Sequence, residues 1–476
     1  MIYLPYCYNK NRDCKFEYFL KNKRSCMSDV VKLRKGLNIR LKGKPEQRFF
    51  PSDPASLYAV KPPDFYGLVP RLVVQPGDSV KAGTPLFFDK SNPDIVFVSP
   101  VSGKVNAVRR GERRAILEVV VEAGGNQEYE SFPASDPLAM GREQIINQLL
   151  KAGCWPFIRQ RPYGIIANPA DTPKSVFVSG FDTAPLAPDY TFVLKESQQE
   201  FQTGLNALSK LSPGGVYLNV PDPLPEDSFY RKIVNARITR FRGPHPAGNV
   251  GIQIHHLDPI NKGDIVWYVN PQDVVILGRL FLTGRFDATR TVAVTGSEIL
   301  KPGYYRTMLG ASIKPLVEKN VQEGEKRYIS GNVLTGSRIG QEGYIGFYDS
   351  QITVIPEGKH FEFLGWALPG WNKFSMSRSY FSWLQPGREY RIDTNLNGGR
   401  RAYVMTGQYE KVLPMDIYPV HLVKAIIIED VDLMEKLGIY EVSEEDFALC
   451  EFVCTSKTEV QQIIRNGLDL IRKEMS

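Results

Sequence analysis

The sequence lacks long hydrophobic runs. A membrane-spanning helix needs about 18 or more consecutive apolar residues, and no stretch of this 476-residue chain reaches that length. The two best candidates carry an internal charge: Val274–Leu282 contains Arg279, and Val420–Ile428 contains Lys424. We therefore predict that the chain does not span a bilayer, and that any work at a membrane requires docking onto a partner that does.

Cysteine is also scarce. Three of the six cysteines lie in the first 26 residues, and Cys154, Cys450 and Cys454 are the others. Such sparse use fits a reducing compartment rather than a secreted disulfide framework. An iron–sulfur cluster normally needs four cysteine ligands, and a structural zinc site also needs four ligands. We therefore predict that these three are buried apolar thiols and that the chain has no metal site.

Beyond residue 26, the chain has no strong excess of positive or negative charge. The formal net charge is +7, and residues 1–26 hold six Lys/Arg against two acidic residues. The remainder is too balanced for the clustered basic face of a nucleic-acid-binding protein, so no nucleic-acid partner is expected. Residues 1–26 also lack the uninterrupted apolar stretch of a secretory signal. Because Met27 looks like a second start, we predict that residues 1–26 are a non-native or disordered extension.

The usual catalytic and phosphate-binding motifs are missing as well. No Gly-x-Gly-x-x-Gly follows a strand, and no Gly-x-x-x-x-Gly-Lys-Ser/Thr occurs; both motifs let backbone amides approach a phosphate closely. There is no Gly-x-Ser-x-Gly nucleophile elbow and no acidic pair spaced for hydrolysis. We expect neither nucleotide binding nor an independent active site, so we predict no catalytic, cofactor-binding or metal-binding residues.

What the sequence does contain is a series of domain patterns. Residues 27–130 alternate short β-branched runs with Pro-Gly and Ala-Gly turns, as in Val73–Phe87 and Ser99–Val105. This pattern resembles the barrel-sandwich domains that carry biotin or lipoyl groups. Asp89-Lys90 falls near the expected hairpin tip, but we favour an unmodified structural barrel because fold does not set function.

Residues 131–288 predict an α/β layer. Val176–Gly180 and Gly215–Val220 read as buried strands, and Ser197–Leu211 between them has the spacing of an amphipathic helix. Strand, helix and strand in this order favour a parallel sheet. We predict a Rossmann-like domain without a nucleotide motif.

The C-terminal part predicts three further units. Residues 289–350 resemble a soluble-ligand-binding β-grasp module, and residues 416–476 read as helical, with a capping box at Ser443. Residues 351–415 read as β-rich, and the strands expected there are Gln351–Ile355, Phe361–Ala367, Tyr390–Thr394 and Ala402–Met405. The predicted fold class is thus multidomain α/β and β.

Four residues are candidates for contacting a ligand or a partner. His245 lies between two prolines in Gly243–Gly248, a stiff turn that we expect to be exposed. It could form a hydrogen bond with a carbonyl or hydroxyl oxygen of a ligand, or its side chain could simply lock the loop. Trp366, Trp371 and Arg378 lie in an aromatic segment that could face an apolar partner or form core. His255 and His256 cannot share one metal if they lie on a strand, because neighbours then point to opposite faces.

Several motifs in one order resemble the NqrA family, which is a component of the sodium-translocating NADH:quinone reductase (Na+-NQR). They include Ser99–Val105, Arg159–Pro162, Asp182–Leu186, Gly243–Gly248, Ile329–Gly336, Leu364–Gly370, Tyr409–Asp416 and Glu445–Cys450. The resemblance extends from Lys32 to the C-terminus.

This resemblance implies a peripheral subunit on the cytoplasmic face of the bacterial inner membrane. The family's complex has five other subunits, one or more of them membrane-embedded, and it reduces quinone to quinol while exporting Na+. NADH, flavins and an iron–sulfur centre belong to the other subunits, so no cofactor is expected on this chain. By the same resemblance the C-terminal helices are a degenerate iron–sulfur domain. Two alternatives stay open: an Rnf-type electron-transport subunit, and a scaffold that binds no quinone.

Overall fold

The computed structural model describes residues 30–359, 363, 365 and 368–475. The strands within those residues are β1 Val30–Lys32, β2 Leu57–Val60, β3 Pro70–Leu72, β4 Ser79–Val80, β5 Pro85–Asp89, β6 Asn92–Val98, β7 Gly103–Arg110, β8 Ile116–Ala123, β9 Arg159–Arg161, β10 Ile165–Ile166, β11 Val176–Ser179, β12 Val216–Pro221, β13 Arg237–Arg242, β14 Val266–Tyr268, β15 Thr289–Thr295, β16 Gly303–Met308, β17 Lys326–Ser330, β18 Ser337–Ile339 and β19 Gln351–Pro356. The α-helices are α1 Arg142–Lys151, α2 Tyr190–Val193, α3 Gln198–Ser209, α4 Val250–Leu257, α5 Pro271–Thr283, α6 Lys314–Val317, α7 Tyr409–Val412, α8 Pro419–Ile427, α9 Val431–Lys436, α10 Ala448–Val453 and α11 Val460–Glu474.

The N-terminal β domain consists of two small antiparallel sheets, in the orders β2-β8-β7-β4 and β3-β5-β6. Alternate residues of each strand point to opposite faces, so Leu86, Phe97 and Val121 meet in the interior of the domain. Lys90 and Ser91 form the turn between β5 and β6, which is the tip expected from the sequence. Whether Lys90 is modified stays a prediction.

The α/β domain is built on a seven-stranded sheet in the order β1-β13-β12-β11-β14-β9-β10. The five neighbouring strands β1, β13, β12, β11 and β14 pair in parallel, and β9 and β10 add an antiparallel edge. The predicted strands, the helix between them and the parallel pairing are therefore confirmed. Residues 30–32, grouped with the β domain from sequence, pair instead with β13 of this sheet, because their short apolar run completes an otherwise open edge.

Both faces of this sheet are covered. In β11, Val176 and Val178 point to a core shared with α1, α3 and α5, and the same core continues into the N-terminal β domain. Phe177 between them points to a second core, shared with α4 and the C-terminal helices. A parallel sheet buried on both faces explains why its strands are continuously apolar in sequence.

The β-grasp module is a five-stranded sheet in the order β16-β15-β19-β17-β18. Its last strand is β19, which pairs with β15 and β17. The strand predicted at residues 351–355 is therefore correct, but it completes this module and does not begin a separate β segment.

The β-rich prediction is wrong for residues 368–415. The described part of that stretch contains a short 3-10 helix, Phe381–Leu384, and the helix α7. Tyr390 forms only a single isolated bridge with Leu41, and Ala402–Met405 is irregular. Aromatic rings there pack against one another, and Pro and Gly interrupt any continuous ladder. Phe361–Ala367 lies mostly outside the described residues.

The C-terminal helices pack on the α4 face of the sheet. The predicted capping box at Ser443 is present. Beside it, fully buried Arg161 of β9 forms ion pairs with Asp446 at 2.7 Å and with Glu445 at 2.6 Å. Removing one partner from such a buried pair typically costs about 3–5 kcal/mol, so this contact anchors the C-terminal helices to the α/β domain. No helix among the described residues is long and apolar enough to cross a membrane.

Candidate functional site

The topology of the α/β sheet creates a crevice. The chain leaves β11 for β12 on one side and later returns to place β14 on the other side of β11. At such a switch point the loops after the two strands diverge, and ligands of open α/β sheets bind there, outside the carboxyl ends of the strands. A cavity of about 120 Å³ lies at this place. Its lining includes Arg159, Ser179, Phe181, Asp182, Ala184, Tyr190, His245, Asn249, Tyr268, Asn270, Asn332 and Glu445.

Two helices begin at the cavity. Asn249 precedes α4 and Asn270 precedes α5, and neither side chain caps its own helix. The Asn249 amide donates instead to the carbonyl oxygen of Glu445 at 3.1 Å. The side-chain oxygen Oδ1 of Asn270 accepts a hydrogen bond from the Arg159 guanidinium at 2.8 Å. The cavity rim therefore ties the sheet, both helix starts and the C-terminal domain together.

His245 is buried in the wall of this cavity, with only 4% of its surface exposed. The expectation of an exposed turn is thus wrong, because residues 36–38 cross over the loop. The backbone N–H of His245 donates to the Asn38 side chain at 2.8 Å, and its carbonyl oxygen accepts from Leu37 N–H at 2.8 Å. Gly36 has φ +135°, and a Cβ there would stand 2.2 Å from the His245 carbonyl oxygen, so the crossing requires glycine.

The hydrogen bonds around Thr183 determine which His245 nitrogen carries the proton. Thr183 Oγ1 accepts from the backbone N–H of Gly248 at 2.9 Å and lies 3.1 Å from His245 Nδ1. The Thr183 hydroxyl therefore donates its proton to His245 Nδ1, because no other described residue offers it an acceptor. Burial lowers the pKa of His245 to about 4, so the ring is neutral near pH 7. A neutral ring that accepts at Nδ1 carries its proton at Nε2, where no described residue accepts it.

Arg159, Asp182 and Glu445 supply the guanidinium and carboxyl side chains of the cavity lining. Burial raises the pKa of the Asp182 carboxyl, although the backbone amides of Ala184 and Thr183 donate to it and oppose the shift. The Arg159 guanidinium lies 4.5 Å from the ring centre of Tyr268 and 4.2 Å from that of Tyr348. The cavity thus combines aromatic surfaces, a neutral hydrogen-bond donor and a carboxyl that holds its proton more tightly than usual.

Comparison with known proteins assigns the family. Three family models match: the NqrA N-terminal barrel-sandwich hybrid domain over residues 31–124, the NqrA second alpha/beta domain over residues 140–286, and the NQRA C-terminal domain over residues 291–340. The NqrA protein of the Na(+)-translocating NADH-quinone reductase of Pasteurella multocida is 39% identical over 452 residues, covering 94% of this chain and all of the relative. The chain belongs to the NqrA family.

Further relatives carry the same description. The Neisseria meningitidis serogroup B protein is 38% identical over 449 residues, and the Rhodopirellula baltica protein is 37% identical over 453 residues. They cover 94% of this chain and 100% and 98% of the relatives, respectively. Two chains of NAD+-reducing NiFe-hydrogenase match at 12% identity with TM-scores of 0.38 and 0.39, covering 71% of this chain and 62% of each hydrogenase chain; that likeness is too low to bear on function. As an NqrA protein, the chain is a subunit of an oxidoreductase complex that translocates Na+.

Within this NqrA protein the predicted contact residues do not form one site. His245 lines the cavity, whereas Trp371 and Arg378 are absent from its lining and lie in the exposed segment 368–388. Trp366 lies outside the described residues. Sequence reasoning missed Arg159, Asp182 and Asn270 as parts of a site. The available signal was the position of Asp182, which closely follows the predicted strand Val176–Gly180; the strand that precedes Asn270, Val266–Tyr268, was not predicted.

His255, His256 and the three described cysteines of this NqrA protein contact structural elements of the fold. His255 and His256 lie on helix α4 and not on a strand, because the run that contains them packs one helical face on the sheet. His255 pairs with Glu441 at 2.6 Å, and His256 lies 3.0 Å from the carbonyl oxygen of Pro414. The three described cysteines are buried, as predicted. The described residues hold no group of three or more His, Cys, Asp or Glu placed to bind a metal; that the chain binds no cofactor stays a prediction.

Proposed function

We propose that this chain is the peripheral, cytoplasmic-face subunit that takes part in quinone reduction, and that the switch-point cavity holds the quinone headgroup. The observation that carries the proposal is the position of His245, which lines the cavity and whose Nε2–H has no acceptor among the described residues. A ligand oxygen placed in the cavity would accept this hydrogen bond.

The shape of the cavity suits a headgroup. A volume of about 120 Å³ is below the about 300–1,000 Å³ of sites that enclose drug-sized ligands, so it suits a single ring and excludes a nucleotide. Phe181, Tyr190 and Tyr268 supply the aromatic surfaces, and stacked rings gain about 0.5–1.5 kcal/mol beyond burial. An isoprenoid tail would have to leave the cavity and extend over the surface.

The polar groups suit the chemistry of reduction. Quinone takes up two electrons and two protons to become quinol, and the proposal assigns the electrons to redox groups of the other subunits. Negative charge develops on the carbonyl oxygens during reduction, and a fixed donor such as His245 Nε2–H then binds more strongly. The raised pKa of Asp182 means that its carboxyl holds a proton more tightly than usual, so this residue is the proposed donor of one proton, and solvent supplies the second proton and reprotonates the carboxylate.

The partners follow from family membership and remain proposals in their detail. We place five further subunits in the complex, including a membrane-embedded one, with NADH oxidation, flavins and an iron–sulfur centre outside this chain. Family membership stands against the Rnf-type alternative. A scaffold that binds no quinone is the competing function.

The test compares His245→Phe with His245→Gln in the assembled complex. Phenylalanine fills the space without a donor, whereas the glutamine amide keeps a donor near the position of Nε2. We expect quinone reduction to fall by about 10²-fold in His245→Phe, the loss typical of removing one such donor, and to be largely retained in His245→Gln. NADH oxidation with an artificial acceptor should be unchanged in both.

Photo-crosslinking distinguishes the scaffold function. A quinone analogue carrying a photoreactive headgroup should label peptides that contain Phe181–Ala184 or His245–Asn249, and His245→Phe should reduce that labelling. Labelling confined to other subunits, together with normal quinone reduction in His245→Phe, would show that this chain is a scaffold.

A further inference from the structure

The segment 368–388 exposes five large hydrophobic side chains within one loop. Its exposed members are Leu368, Trp371, Phe381, Trp383 and Leu384, each between 38% and 54% exposed. The rings of Trp371 and Phe381 contact edge to face with centroids 5.2 Å apart, and Trp383 and Leu384 follow Phe381 in the same 3-10 helix. We call these five residues the aromatic surface. A group of large apolar side chains exposed close together in this way marks a site of interaction.

The conformation of this segment is held by its own contacts. Phe381 N–H donates to the carbonyl oxygen of Pro369 at 3.1 Å, and Arg388 donates to the carbonyl oxygen of Trp371 at 2.9 Å. Tyr390 below it is buried and pairs with Leu41. The aromatic surface is therefore presented from a folded loop whose polar backbone groups form hydrogen bonds beneath it.

The segment is rich in positive charge. Residues 368–388 contain Lys373, Arg378 and Arg388 and no Asp or Glu, and Glu389 follows directly. The cationic groups lie beside the rings: Arg378 is 5.8 Å from the ring centre of Trp383, and Lys373 is 5.5 Å from that of Tyr380. Long cationic side chains that lie along an apolar surface keep their charged ends at its rim.

We propose that the aromatic surface binds the headgroup region of an anionic phospholipid membrane. Trp and other amphipathic aromatics favour the membrane–water interface, and an apolar face rimmed by Lys and Arg is the arrangement that binds anionic lipids. Arg378 is exposed beside the Trp383 ring and supplies positive charge that an anionic headgroup layer would pair with. The lipid headgroup layer is the occupant that matches both properties. The inference does not depend on the switch-point cavity.

The test measures binding of the purified full chain to vesicles by flotation. One set contains phosphatidylcholine alone, and the other contains phosphatidylcholine with phosphatidylglycerol as a minor component. We expect binding to the anionic vesicles, weakened by salt because the attraction is screened. Brominated lipid should quench tryptophan fluorescence, and Trp371→Ser/Trp383→Ser should lose that quenching and bind at least about tenfold more weakly. Arg378→Gln should weaken binding about fivefold, the effect of one charge near an anionic surface.

Matched controls lie on the β-grasp module. Leu300 is 57% exposed and Lys319 is also exposed, so Leu300→Ser and Lys319→Gln change the same residue classes outside the segment. Both should bind vesicles like the unchanged chain. Equal binding to both vesicle sets, or equal losses in the control variants, would overturn the proposal. So would a double tryptophan variant that binds vesicles normally but fails to assemble with the membrane-embedded subunits, because the surface would then be a protein interface.

Discussion

The His245 loop and the aromatic segment both contain Pro and Gly beside a ring side chain, but one is buried and the other is exposed. Both combine aromatic residues or histidine with Pro and Gly, and both supplied candidate contact residues. The His245 loop is crossed by residues 36–38 and buried against the sheet, whereas Trp371 and Trp383 are about half exposed. Local composition therefore does not decide burial; what packs over a loop does. The buried loop should be sensitive to substitution, and the exposed one should tolerate it.

The largest expected effect is on the anchor beneath the cavity. Arg161→Met leaves Asp446 buried without its partner at 2.7 Å, so we expect the free energy of unfolding to fall by about 3–5 kcal/mol. Urea titration measures the loss, and hydrogen exchange in α10 and α11 should show that the C-terminal helices open first. A loss below about 1 kcal/mol would mean that the ion pair does not anchor this region.

The next effect is a pH dependence of stability that comes from His245. Burial lowers its pKa to about 4, against about 6.5 in an unfolded chain. Between these values the unfolded chain binds a proton that the folded chain does not, so stability is lost as the pH falls from about 6.5 to about 4. The contribution is on the order of 3 kcal/mol. The difference in unfolding free energy between the unchanged chain and His245→Phe should therefore change over this range; a difference independent of pH would contradict a buried neutral ring.

A smaller effect is expected at the residue that orients the imidazole. Thr183→Val removes the hydroxyl that accepts from Gly248 and contacts His245, which leaves a buried N–H unsatisfied and should cost about 1–3 kcal/mol. Thr183→Ser keeps the hydroxyl and is the control. Chemical denaturation of both variants measures the difference, and equal stability of the two would show that the hydroxyl is not needed.

The smallest effect is expected on the exposed segment. Trp371→Ser and Arg378→Gln each remove a side chain that has no buried role, so each should change the free energy of unfolding by less than about 0.5 kcal/mol. The same denaturation measurement serves as the check. A loss above about 2 kcal/mol would show that this segment is part of the core, and the contrast with the His245 loop would fail.

Much of the fold could be predicted from local patterns. The apolar strand runs, the amphipathic helix between Val176 and Val220 and the capping box at Ser443 each depend on neighbouring residues alone, and all are present. The strands predicted at Tyr390–Thr394 and Ala402–Met405 are absent, because a strand needs a partner whose backbone is free to pair. The candidate site was predicted only at His245. Arg159, Asp182 and Asn270 are far apart in sequence, and the crossing of the sheet at its switch point brings them together.

The sequence by itself determined the family, the order of the domains and the secondary structure wherever hydrophobic periodicity was strong. Tertiary structure alone decided that His245 is buried, that it lines a cavity and that β1 joins the distant strand β13. The physical reason is the distance along the chain over which each kind of interaction acts. Periodicity and turn chemistry act over a few residues, whereas burial and proton position depend on which distant segments pack over a residue, as Gly36 and Asn38 do over the loop that contains His245.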